Sequence, residues 1–101
     1  MNIEIADSND GTDKIQRETH YIALVTDHFI ENYLEEGNCY REAELANKLG
    51  CTMFAVVKKG TNLDILMKYP WNKIMYFTND KDMELCVNEL KRHIFLMESG
   101  K

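Results

Sequence analysis

The segment from Arg41 to Thr78, REAELANKLGCTMFAVVKKGTNLDILMKYPWNKIMYFT, constrains the fold more than any other part of this chain. Leu45, Ala46 and Leu49 recur at the spacing of one buried helical stripe. Gly50 follows at once, where a helix that stops and turns needs a residue tolerant of positive φ. Cys51 can plug the turn, and Thr52 can cap a following helix by accepting a bond from an early backbone amide. Beyond Leu66 the apolar period switches to near two, and Tyr69-Pro70-Trp71-Asn72 supplies a reversal between two short apolar runs. The expectation is a helix, a tight turn, a second helix over Thr52 to Leu63, and a two-stranded hairpin. That is a mainly helical α+β winged helix-turn-helix. An unrelated small α+β domain is the alternative left open by the same residues.

The flanks are read to match. From about Lys14 to Glu36, Ile22, Val25, Phe29 and Tyr33 recur at three and four, which predicts one long scaffold helix ending at Gly37-Asn38. Asn79-Asp80-Lys81-Asp82 starts a C-terminal helix with capping residues and early acids. Met83, Val87, Leu90, Ile94 and Met97 then form a heptad-like seam. Residues 1–13, acidic and polar, are expected to be a flexible arm, the reverse of a signal peptide's basic-then-apolar order. Residues 14–101 are expected to form one domain.

Composition excludes more than it proposes. No run of about 18 apolar residues is present, so no membrane span is expected. Three cysteines, Cys39, Cys51 and Cys86, leave one over in any pairing, which favours reduced thiols in a cytoplasmic protein. No glycine-rich phosphate loop or nucleophile-histidine-carboxylate order occurs, so an enzyme is not expected. His20, His28 and His93 lack partners at ligand spacing, and neither a metal nor a cofactor is expected. The net charge of −5 is unevenly spread. Residues 1–40 carry two bases against nine acids, whereas residues 41–73 carry six bases against three acids. Arg41, Lys48, Lys58, Lys59, Lys68 and Lys73 are therefore candidate phosphate contacts, with a solvated face as the plain alternative.

The expected second helix holds more apolar surface than one protomer can bury. Met53, Phe54, Val57 and Gly60 together suit a helix that packs against something, with a register one position off and more of the run in ordinary core as the alternative. In the order of its elements, and in Thr52-Met53-Phe54-Ala55-Val56-Val57 and Asn72-Lys73-Ile74-Met75-Tyr76-Phe77-Thr78, the chain resembles the TubR group of winged-helix adaptors. That resemblance covers roughly residues 20 to 95 in architecture. It implies a centromere-binding homodimer that binds repeated double-stranded DNA sites cooperatively and links them to a tubulin-like GTPase in plasmid or phage partition. It also implies groove contacts from Thr52 and Met53 and wing contacts from Lys68, Asn72 and Lys73. Phe54, Val57 and Gly60 fall at the implied dimer interface, and Leu90 and Ile94 on the C-terminal seam are a second candidate for it. A dimeric winged-helix repressor of the MarR or ArsR kind shares the outline. A protein-interaction module that keeps the fold without binding DNA is the reading from another class.

Overall fold

A sheet, not a helix-turn-helix, organises this chain. In a computed structural model, which describes residues 2–6 and 14–100, the elements are β1 (Ile3–Ala6), β2 (His20–Val25), α1 (Asp27–Leu34), α2 (Asn38–Leu49), β3 (Thr52–Lys58), β4 (Trp71–Phe77) and α3 (Asp80–Ser99). A short 3-10 turn, Asp64–Leu66, interrupts the connection between β3 and β4. All four strands are parallel, in the spatial order β1-β2-β3-β4. The expected mainly helical winged helix with a two-stranded wing is thus overturned. The intended recognition helix is the internal strand β3, and the second half of the intended wing is β4, parallel to β3 rather than returning along it.

Local chemistry explains each departure. The helical spacing of Ile22, Val25, Phe29 and Tyr33 runs across a strand and a helix by coincidence. Thr26 ends it: its backbone is extended, and its hydroxyl accepts the Phe29 amide as the cap of α1. In β2, Tyr21, Ala23 and Val25 face one side of the sheet while Ile22 and Leu24 face the other. β3 alternates likewise, Met53, Ala55 and Val57 against Phe54 and Val56. Both faces of these strands are covered, so their sequences are continuous apolar runs without a polar alternation.

The two faces are covered unequally. α1 and α2 close one of them, where Phe29, Tyr33, Ala43 and Ala46 meet the β2 and β3 side chains. The β3–β4 connection lies on this same face and contributes buried Leu66 and Tyr69. Among the described residues the other face is covered by α3 alone, through Cys86, Val87, Leu90 and Ile94 on Ile22, Phe54, Val56 and Phe77. Ile3, Ile5, Leu24 and Met75 remain only partly buried there. A helix is about 10 Å across, whereas four strands span more than about 14 Å, so one helix cannot cover the face.

Some of the remaining expectations hold, whereas the Thr52 cap and the flexible arm over Ile3–Ala6 do not. α2 forms, and Gly50 at its end is left-handed (φ 74°) and lets the Cys51 amide return to the Ala46 carbonyl at 2.9 Å. Cys51 does plug this corner, buried with its thiol 3.0 Å from the Gln16 carbonyl oxygen. Thr52, however, begins a strand and caps nothing. α3 begins where expected: Asn79 Oδ1 accepts the Asp82 amide at 2.9 Å, and Asp82 accepts the Thr78 amide at 3.0 Å, a reciprocal cap. Near its end α3 is pinned to the start of β2, with His20 Nε2 2.7 Å from Glu98 Oε1. At the N-terminus Ile3–Ala6 pairs with β2, while residues 7–13 of the expected arm lie outside the described residues. Among the described residues, no helix is long and apolar enough to cross a membrane.

Candidate functional site at the carboxyl edge of the sheet

Parallel strands all end on the same edge, so the residues just after them converge whatever their distance in sequence. Where chains leaving adjacent strands pass to opposite faces, a crevice opens between them. Here β3 continues over the α1/α2 face and β4 over the α3 face. A crevice of about 520 Å³ sits at this edge. Thr26, Asp27 and His28 line it from the end of β2, Lys58 from β3, and Phe77, Thr78, Asn79 and Asp80 from β4. Met83, one turn into α3, completes the wall. A shallower hollow of about 310 Å³, lined by Ile30, Glu31, Gly60, Thr61 and Asn62, shares Asp27 with it.

The polar groups have defined roles. Lys58 Nζ lies 3.8 Å from Asp27 Oδ2, and the two side chains are about half and three-quarters exposed, so solvent screens the pair and a ligand can compete for either partner. Thr26 and Asn79 already satisfy early amides of α1 and α3. The first turns of both helices also carry acids, Asp27 in α1 and Asp80 and Asp82 in α3. The lining therefore bears two carboxylates, Asp27 and Asp80, against one ammonium, Lys58. Among the described residues no group of three or more His, Cys, Asp or Glu could hold a metal ion.

The residues expected to meet DNA are dispersed. Lys48 closes α2, at the opposite end of β3 from Lys58 and Lys59. The Arg41 guanidinium is held by the Asn38 side chain and by the Glu36 carbonyl at 3.4 Å. Lys68 binds Glu44 at 2.7 Å and lies 5.1 Å from the Tyr69 ring centre, where Tyr69 in turn joins Tyr33 hydroxyl to hydroxyl at 2.8 Å. Met53 is buried in the sheet beside half-buried Thr52, so neither heads a groove-reading helix. Asn72 and Lys73 are exposed on the edge strand β4. Of all these, the structure brings only Lys58 to the crevice.

The expected dimer contacts are mostly internal. Phe54, Val57, Leu90 and Ile94 have no exposed surface, because they form the protomer's own two cores. Gly60 sits in the turn after β3 with φ 93° and faces solvent. Sequence reasoning missed Thr26, Asp27 and Thr78, named His28 only as a histidine without a ligand partner, and took Asn79 and Asp80 only for a cap and an early acid of α3. The available signal was a run of apolar residues closed by a capping residue, at Val25-Thr26 and at Phe77-Thr78-Asn79. Comparison of the chain with protein-family models, with curated proteins and with solved structures finds no match.

Proposed function

We propose that this chain is a binding module for a small, uncharged, hydroxyl-rich molecule of about nucleoside or monosaccharide size, held at the carboxyl edge of its sheet. The observation that carries this reading is the crevice at the point where β3 and β4 send the chain to opposite faces. Its size falls within the range of about 300–1,000 Å³ usual for ligand sites. The chemistry of the lining favours hydrogen-bond donors. Ligand hydroxyls can donate to Asp27, Asp80 and the Thr78 hydroxyl oxygen, whose own proton goes to Asp82 at 3.3 Å, and accept from Lys58, while Phe77 and Met83 give an apolar backing. An anionic ligand is disfavoured by the excess carboxylate, Asp27 and Asp80 already standing at the positive ends of α1 and α3.

Recognition of repeated duplex DNA, as a partition adaptor for a tubulin-like GTPase or as a repressor, draws no support from this fold. A groove-reading helix and a hairpin wing were its basis; those segments are the parallel strands β3 and β4, and the candidate phosphate contacts are dispersed, Lys48 at the end of α2, Lys58 at the far end of β3 and Lys73 on the edge strand.

The test is a titration of isotopically labelled protein with uridine and with glucose, followed by amide resonances, with uridine 5′-monophosphate and a duplex DNA as comparison ligands. The expected result is shifts confined to Thr26–His28, Lys58 and Thr78–Asp80, with affinity reduced about tenfold by Asp27→Asn combined with Asp80→Asn. Tighter binding of the monophosphate would reverse the charge argument. Absence of shifts at these amides with either neutral ligand at ~10 mM, a concentration that detects even millimolar affinity, would end the proposal.

A further inference from the structure

The outward face of α3 is built as its own complement. Leu85, Glu89, Arg92 and Leu96 follow one another at spacings of four, three and four, the pattern of a coiled-coil stripe. This stripe lies opposite the buried one of Cys86, Val87, Leu90 and Ile94. All four residues are exposed, Leu85 at 60% and Leu96 at 58%. Neither Glu89 nor Arg92 has an ion-pair partner among the described residues.

The order leucine, acid, base, leucine is symmetric about the Leu90–Lys91 peptide bond. If two copies of α3 lie antiparallel about a two-fold axis at that point, Leu85 of one meets Leu96 of the other at both ends. Glu89 meets Arg92 in the two central layers. A two-fold interface demands that one patch complement itself, and this stripe satisfies that demand in both apolar and charged positions. Parallel pairing would instead set Glu89 against Glu89 and Arg92 against Arg92. We infer that a second copy of this chain docks here, forming an antiparallel α3–α3 dimer.

The charge order selects this occupant. An unrelated apolar partner would need the leucines but would not call for an acid and a base placed symmetrically between them. The leucine layers are about 16 Å apart along the helix, so the contact is short and the dimer belongs to the weak class of interfaces. The dimer uses neither Phe54 and Val57 nor Leu90 and Ile94, all of which are internal. The crevice reaches α3 only at Asp80 and Met83, which are not part of this stripe.

Sedimentation velocity across ~10 µM to ~1 mM, the range that resolves weak association, tests it. The wild type is expected to dimerise reversibly within that range. Glu89→Arg alone and Arg92→Glu alone each set like charges in the central layers, and should weaken association at least about tenfold. The combined Glu89→Arg, Arg92→Glu exchange should restore it to within about threefold, because the pairs re-form with roles exchanged. Leu96→Ser should abolish it. Circular dichroism of the variants should match wild type, since all these side chains are exposed. A wild type monomeric throughout, a dimer indifferent to these changes, or an exchange variant no better than the single reversals would each overturn the inference.

Discussion

Glu44 shows how a single side chain reports on the packing around it. Lys68, above all, and also Tyr69 donate to its carboxylate, at 2.7 and 3.1 Å, and hold it below the ordinary glutamate value of 4.5. A carboxyl depressed in the folded state contributes its stability above the unfolded value and loses it as pH falls through the folded one. Glutamine mimics the protonated side chain, so Glu44→Gln isolates the charge. The deficit in urea unfolding should be under about 1 kcal/mol at pH 7, because the pair is well solvated. It should shrink toward zero as pH falls through the depressed folded-state value of Glu44, where both proteins come to carry a neutral group. The neighbouring Tyr69 hydroxyl is pushed far up, chiefly by burial and then by its bond to Tyr33 and the Glu44 charge, so it stays a neutral donor throughout. None of this was legible as a cluster. Tyr33, Glu44, Lys68 and Tyr69 come together only because the β3–β4 connection folds back onto α1 and α2.

At the scale of elements, the boundary residues made α2 and α3 legible, but the equally explicit Val25-Thr26 cap was read through as one helix, and the strands were not legible. α2 announces its end with Gly50, and α3 its start with Asn79, and both form as the residues demand. β3 gives no such signal. Thr52-Met53-Phe54-Ala55-Val56-Val57 is apolar throughout because the strand is buried on both faces, and periodicity cannot tell such a run from a buried helix. Thr52, Phe54, Val56 and Val57 carry a strand preference that the neighbouring Leu49-Gly50-Cys51 turn pattern overrode. Phe54 discriminates between the two assignments. As a central side chain of the α3 face, it should cost about 3–5 kcal/mol of unfolding free energy when replaced by alanine, with no dependence on protein concentration. A dimer contact on an exposed helix would instead change association and leave monomer unfolding nearly untouched.

For the whole molecule, the thiols mark its two cores. Cys39 and Cys51 lie in the α1/α2 layer and Cys86 on the buried face of α3. Burial raises the Cys51 and Cys86 thiols above their ordinary value, which lowers the reactive thiolate fraction further. Reaction with an aromatic disulfide reagent at pH 8 should therefore modify no cysteine on mixing and all three in denaturant. The candidate site belongs to this scale as well. Val25-Thr26 and Phe77-Thr78-Asn79 are far apart in sequence, and only parallel strand order brings their ends together; the sequence named Lys58 for phosphate contact, a different purpose. That strand order has a consequence for biosynthesis. Because spatial and sequence order coincide, each strand can pair with its predecessor as it leaves the ribosome, without waiting for a later one to insert between them. One face is sealed along the way by α1, α2 and the β3–β4 connection, but Ile22, Phe54 and Val56 stay bare until α3 follows. The nascent chain thus passes through an interval with a nearly complete sheet and one uncovered apolar side, the stage at which chaperone capture or misassociation would act on it.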